Sequence, residues 1–220
     1  MNSSQKKMKK KLKREIADLL RKTKVSSNGL DFVNVKSDST TYELIGCGCS
    51  SAVFRSKNYP HVAVKVYSPE QRQEVFLEVV AYKKLQDVSC FPKLYLYGRN
   101  FLAIEYIEGK SLYDCLIEGI DIPEYLITQV DEAISIAKER GLVPSDVHFK
   151  NIIVNEDRVT LIDLSDYMSA KYVTRWERLK FFYKTVYRPL LRGSRVPKPV
   201  VDISRKVYKY LEGLLSKLSG

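Results

Sequence analysis

Asp146-Val147-His148-Phe149-Lys150-Asn151 sets a carboxylate five residues ahead of an amide, and Asp163 follows that amide by twelve residues. Phosphoryl transfer to a hydroxyl needs such a set. One acid orients and deprotonates the hydroxyl, while the amide and a second acid hold Mg²⁺ against nucleotide phosphates. Asp146 is therefore the candidate acid–base residue, and Asn151 and Asp163 the candidate metal ligands. Upstream, Gly46-Cys47-Gly48 offers a backbone turn and Val62-Ala63-Val64-Lys65 an apolar strand ending in a cation, the order a nucleotide cradle requires. Each piece alone has a plain structural explanation. Gly-x-Gly is usual in hairpin turns, a strand-end lysine is commonly an edge gatekeeper, and Asp and Asn favour loops. His148 alone reads more readily as structural than as catalytic. Asp163 resists that treatment, because an acid closing the apolar run Leu161-Ile162 needs a partner or a metal.

The elements that must position these residues show in the periodicity. Leu12, Ile16, Leu19 and Leu20 fall at i, i+4, i+7 and i+8, which predicts a basic amphipathic helix over 4–22, ended by a Ser26-Ser27-Asn28-Gly29 loop. Residues 41–57 read as two strands around the glycine turn, and 61–66 as a third. Ser68 then stands as N-cap and Pro69 at the first helical position, with Val75, Val79, Tyr82 and Leu85 at helical spacing to about residue 86. Strands over 93–97 and 101–106 flank a Gly98-Arg99-Asn100 turn. Beyond Gly109 come helices near 111–117 and over 123–140, the latter closed by Gly141. A small hairpin, 152–154 and 159–162, carries Asp163, and helices at about 174–191 and 199–218 finish the chain. There is no internal repeat. The fold class is α+β, with two lobes: a five-stranded sheet with one helix over 41–106 and a mostly helical region over 110–220.

At 220 residues and 45% hydrophobic composition, the chain can bury a real core, which argues against disorder. No apolar run approaches the ~18 residues of a membrane span, and no apolar stretch follows the charged N-terminus as in a secretory signal. Four cysteines fit a reduced, cytoplasmic protein, and Cys47-x-Cys49 lacks the second close Cys or His pair of a metal site. The net charge of +11 is uneven: +8 over residues 1–24, −7 over 25–170 and +10 over 171–220. Basic ends around an acidic middle suit an anionic partner, whether nucleic acid, anionic lipid or an acidic protein. Solvated helix faces are the plainer reading of the same charges.

From about Tyr42 to its end the chain resembles the protein-kinase-like superfamily, with residues 1–40, a basic helix and linker, outside the resemblance. Gly46-Cys47-Gly48-Cys49-Ser50-Ser51-Ala52-Val53 resembles the glycine-rich loop over the phosphates, with Ile45 beside it. Lys65 matches the lysine on the α/β-phosphates and Glu78 the helix glutamate that pairs with it, Glu74 being the runner-up one turn earlier. Ala103-Ile104-Glu105-Tyr106-Ile107 resembles the hinge, implying adenine contacts at Glu105 and Ile107, with the ring between Val53, Ala63 and Ile153. The resemblance implies ATP and Mg²⁺ as cofactors and a γ-phosphoryl acceptor that is a protein Ser/Thr hydroxyl or a small-molecule (sugar- or aminoglycoside-type) hydroxyl.

The departures narrow the comparison. Ser51 stands for the third loop glycine, Pro144-Ser145 for the His-Arg pair before the catalytic acid, and Ser165 for the glycine after Asp163. His148 stands at +2, where eukaryotic-type protein kinases carry lysine and aminoglycoside- or choline-type phosphotransferases often carry histidine. Only 57 residues follow Asp163, with no Ala-Pro-Glu motif, so the chain resembles RIO-type atypical kinases and bacterial Kdo-type sugar kinases. A non-catalytic pseudokinase scaffold would usually lack one of Lys65, Asp146, Asn151 or Asp163, and all four are present.

Overall fold

A computed structural model describes residues 3–27, 32–168 and 175–198. Its organising element is a five-stranded antiparallel sheet of β3 (Tyr42–Cys47), β4 (Ser51–Ser56), β5 (Val62–Tyr67), β6 (Leu94–Tyr97) and β7 (Phe101–Glu105), in the order β3-β4-β5-β7-β6. All six residues of β5 are buried, because both faces of the central strand are covered. Side chains alternate across a strand. Val62, Val64 and Val66 thus join one hydrophobic cluster, while Ala63 and Tyr67 join another.

The outer cluster takes in described residues from 1–40, the part of the chain outside the kinase resemblance. Helix α1 (Ser3–Lys22) places Leu12, Ile16 and Leu19, each 1% exposed or less, in one cluster with Ala52, Phe54, Val62, Val64, Val66 and Ala103 of the sheet. Burying each such side chain contributes roughly 1.5–3 kcal/mol. The helix ends at Lys22 and runs straight into β1 (Thr23–Ser26), which pairs with β2 (Asn34–Ser37) in a hairpin where the sequence predicts loop and linker. Val25 and Val33 are buried in the same cluster. Lys6, Lys7, Lys10, Lys11, Lys13 and Arg14 stay exposed on the helix's other side.

The inner face meets α2 (Arg72–Lys84), reached through a 3₁₀ turn, Pro69–Gln71. Val75, Val79 and Tyr82 are buried as their spacing predicts. Ser68 is extended at the start of that turn, but its hydroxyl makes no capping bond and is buried without a partner among the described residues. The second lobe opens with β8 (Lys110–Ser111) and α3 (Leu112–Glu118), where Ser111 and Asp114 form a reciprocal capping box. Gly109 precedes it at φ +137°, and a Cβ there would fall 2.2 Å from the Val154 carbonyl oxygen. No other residue fits.

Helix α4 (Glu124–Glu139) packs on the hairpin β9 (Ile152–Asn155)–β10 (Arg158–Leu161). Its C-terminal Arg140 holds the first lobe, donating to the Lys84 carbonyl (3.1 Å) and pairing with Asp87 (2.9 Å). Helix α5 (Arg175–Phe182) continues as a π-helix through Tyr183–Leu191. The hydroxyl of Tyr183 donates to the Ile122 carbonyl (2.7 Å), and the backbone N–H of Ile122 donates to the Tyr187 hydroxyl (3.1 Å). The helix expected over 199–218 lies outside the described residues. No described helix is long and apolar enough to cross a membrane.

Candidate active site

Lys65 lies on β5 between Ala63 and Tyr67 and points inward, and Glu78 lies on the buried face of α2. The ammonium Nζ donates to Glu78 Oε1 (3.1 Å) and Oε2 (3.0 Å), and to Asp163 Oδ1 (2.7 Å) across the lobes. The Tyr67 hydroxyl also donates to Glu78 Oε2. Sequence reading missed Tyr67, although its position two residues after Lys65 on one strand face was a usable signal. Burial works against the Lys65 charge, but Asp163 and Glu78 outweigh it and hold the ammonium above its ordinary range. Burial pushes the Glu78 carboxyl up, opposed by Lys65. Glu74, the runner-up, is placed elsewhere: with Ser50, Leu77, Ser165 and Asp166 it lines a cleft of about 370 Å³.

Asp163 follows β10 in a left-handed conformation, φ +64°. Asp tolerates this region better than most residues. The turn leaves its side chain 40% exposed and lets the Ser165 hydroxyl donate to Oδ1 at 2.8 Å. Enclosing protein opposes the carboxylate charge, but the Lys65 ammonium and the Ser165 hydroxyl bring its pKa down to about 2. Ser165, in the place of a glycine, thus supports the acid.

The loop carrying Asp146 is stitched to the segment after Asp163. Val143 N–H donates to the Tyr167 carbonyl (2.8 Å), the Ser145 hydroxyl to the Asp166 carbonyl (3.0 Å), and Ile162 N–H to the Asn151 carbonyl (2.9 Å). The last bond sets Asn151 and Asp163 on neighbouring backbones. Together they offer an amide oxygen and an ionised carboxylate, the hard-oxygen set that suits Mg²⁺ shared with phosphates. Asp146 Oδ1 accepts from Arg175 Nη1 of α5, and Oδ2 lies 3.6 Å from His148 Nε2. His148 Nδ1 accepts the Lys150 N–H (3.2 Å), so part of its role is local turn structure. Arg175 sits 29 residues beyond Asp146 and left no local signal in the sequence.

On the nucleotide side, Gly48 N–H donates to the Ser51 carbonyl (2.8 Å), closing the turn. Its own carbonyl accepts from Val33 N–H (2.8 Å), and the Ser27 hydroxyl donates to the Cys49 carbonyl (3.3 Å). The N-terminal hairpin therefore braces the loop. Ile45 falls in a bulge, since Leu44 pairs with Phe54 and Gly46 with Val53. A Cβ on Gly46 would meet nothing within 4 Å among the described residues. Val53 pairs with Lys65 and Ala63 with Ile104, while Ile153 lies against Gly109 at the lobe junction. The N–H groups of Glu105 and Tyr106 are taken by the Lys93 (2.8 Å) and His61 (2.9 Å) carbonyls. Cys47 and Cys49 are exposed free thiols.

Residues 54–186 match the RIO domain. The chain belongs to the RIO domain family. That match contains Lys65, Glu78, Asp146, Asn151, Asp163 and Arg175, and begins after the glycine turn. The RIO fold is thus the kinase-like arrangement of sheet, α2 and helical lobe described above. The chain is also similar to "Putative serine/threonine-protein kinase YrzF" of Bacillus subtilis (strain 168), 34% identical over 195 residues, 88% of this chain and 91% of that one. A second relative is "Probable serine/threonine-protein kinase KIN1 homolog" of Encephalitozoon cuniculi (strain GB-M1), 31% identical over 144 residues, 60% of this chain but 25% of its own. "Serine/threonine-protein kinase DCLK3" of Mus musculus is 33% identical over 81 residues, 34% of this chain and 10% of its own.

Proposed function

We propose that this RIO domain protein transfers the γ-phosphoryl of ATP to a Ser/Thr hydroxyl of a protein. One observation carries the reading: Lys65 is bonded at once to Glu78 and Asp163, joining both lobes at the point where phosphates would lie. Lys65 would hold the phosphates, and Asn151 and Asp163 would hold Mg²⁺. When bound, Mg²⁺ neutralises charge on the β- and γ-phosphates. Val53, Ala63 and Ile153 would enclose adenine, with Ile45, Gly46 and Gly48 above the phosphates. Since the N–H groups of Glu105 and Tyr106 are committed within the protein, hinge donors to the ring come from Ile107 onward. Asp146 would accept the proton as the acceptor oxygen bonds to the γ-phosphorus and the bond to the ADP oxygen breaks.

His148 beside Asp146, in place of lysine, favours a small-molecule hydroxyl as the second reading. The exposed cations of α1 would meet an anionic partner. Incubation with labelled ATP, Mg²⁺, an acidic protein and a sugar panel separates the cases. Label on protein Ser/Thr supports the first reading and label on a sugar the second. Nucleotide binding without transfer would leave a scaffold.

A further inference from the structure

We infer that Arg175 is a further catalytic residue, the cation that meets the γ-phosphoryl beside Asp146; this rests on the proposed phosphotransfer. Asp146 is the group that takes the acceptor proton, so a donor to its carboxylate is two hydrogen bonds, through one carboxyl group, from the attacking oxygen. Arg175 is such a donor, through Nη1. A guanidinium presents five donors in a planar fork, so its remaining N–H groups can reach phosphoryl oxygens while Nη1 keeps Asp146. Charge on those oxygens is what phosphoryl transfer must stabilise, and an arginine supplied from the same chain can do it.

The position is built. Trp176, the next residue, is 5% exposed, donates Nε1–H to Asp131 on α4 (2.7 Å) and meets Phe149 of the Asp146 loop edge-on at 6.5 Å between ring centroids. Lys180, one turn later, pairs with the same Asp131 (2.9 Å). Helix α5 is thereby pinned at its first turn against both α4 and the catalytic loop. Other nearby cations are engaged differently: Lys65 lies on Glu78 and Asp163, and Lys150 Nζ sits over the Tyr113 ring at 4.3 Å. The place of the +2 lysine, filled by His148 in sequence, is thus taken in space by an arginine from a distant helix.

In the reaction, the acceptor oxygen forms its bond to the γ-phosphorus, the bond to the β,γ-bridging oxygen breaks with its electron pair leaving on ADP, and the hydroxyl proton passes to Asp146. Arg175 takes no proton; it counters the charge on the transferring group. Arg175→Ala should lower kcat by roughly 10²–10³-fold, the loss on removing one transition-state donor, with the KM for ATP changed by less than about threefold. Arg175→Lys should recover only part, since lysine lacks the fork. By calorimetry, ADP·Mg²⁺ with aluminium fluoride should bind Arg175→Ala at least about tenfold more weakly than wild type, while ADP·Mg²⁺ alone binds equally. If the alanine variant does not fold, Arg175→Gln replaces it in every measurement. Unchanged or raised kcat, with equal analogue binding, would overturn the role and make the pair a gate that acceptors displace. Failure of the wild type to bind ADP·Mg²⁺ would instead overturn the phosphotransferase reading, and this role with it.

Discussion

Lys65 on β5 and Asp163 beyond β10, 98 residues apart in sequence, meet at 2.7 Å across the cleft. In this structure the ammonium that would carry phosphates already neutralises the carboxylate that would carry Mg²⁺, with Glu78 fixing the other side at 3.0 Å. The two lobes are thus held in register by the groups that nucleotide and metal would engage.

Lys65→Met and Glu78→Gln should each weaken nucleotide binding. Their effects should couple by about 0.5–3 kcal/mol, because they share one contact. Lys65→Met should also cost about 3–5 kcal/mol of stability, since it leaves a fully buried carboxylate with the Tyr67 hydroxyl but no cation. Glu74→Gln, on the cleft wall away from Lys65, should change nucleotide affinity little. Denaturant titration and nucleotide calorimetry of the single and double variants check this, and additive effects would dissolve the pair.

Asp163→Asn should abolish Mg²⁺-dependent transfer while leaving the fold intact. Its pH signature follows from a carboxyl held at about 2. A depressed acid stabilises the folded state above its unfolded value near 4, and that contribution is lost as pH falls through the folded value. Wild type should therefore lose more stability than Asp163→Asn between about pH 5 and pH 2. Parallel curves would remove the depressed carboxyl, and turnover within about tenfold of wild type would remove the metal-binding assignment.

Asp166 should behave oppositely. Burial, then the charges of Asp146, Asp163 and Glu74, push its carboxyl up. An acid raised on folding stabilises below its unfolded value, and that stability is lost as pH rises through the raised one. In EDTA, Asp166→Asn should resist denaturant better than wild type near pH 7 and match it near pH 3. Equal midpoints at both pH values would mean that the Asp166 carboxyl feels no such field.

Ile16→Ala should cost about 2–5 kcal/mol, the range for emptying a packed aliphatic site. Removing residues 1–24 should lower Tm by more than ~5 °C. Neutralising Lys6, Lys7, Lys10 and Lys11 together should leave Tm unchanged. The same change should weaken binding to a polyanion most at low salt, where screening is least. A truncation with unchanged Tm would mean that α1 adds nothing to the stability of the lobe.

Period-2 and period-3.6 patterns were enough to locate α2, the five sheet strands and the Asp163 hairpin, because one-sided burial writes itself into local spacing. Glu78 over Glu74 came from the family resemblance, since both lie on one helix face in sequence; only the structure shows Glu78 buried beside Val75 and Val79. The chemistry-bearing types and their order were also fully present in the chain: Lys65, Glu78, Asp146, Asn151 and Asp163.

What tertiary structure decided was which surface each pattern meets. The Leu12-Ile16-Leu19 stripe suits a lipid surface, a partner or this chain's own sheet equally well, and only the uncovered outer face of β4 and β5 chooses the sheet. A basic run reads the same whether its helix is free or docked, so charge did not reveal the docking. The Arg175–Asp146 pair joins residues 29 apart through the packing of Trp176, and a guanidinium on a helix start carries no local mark of the carboxylate it will find. Sequence determines what groups are available and which faces are apolar. Long-range pairing depends on how those faces stack, and that is a property of the folded chain alone.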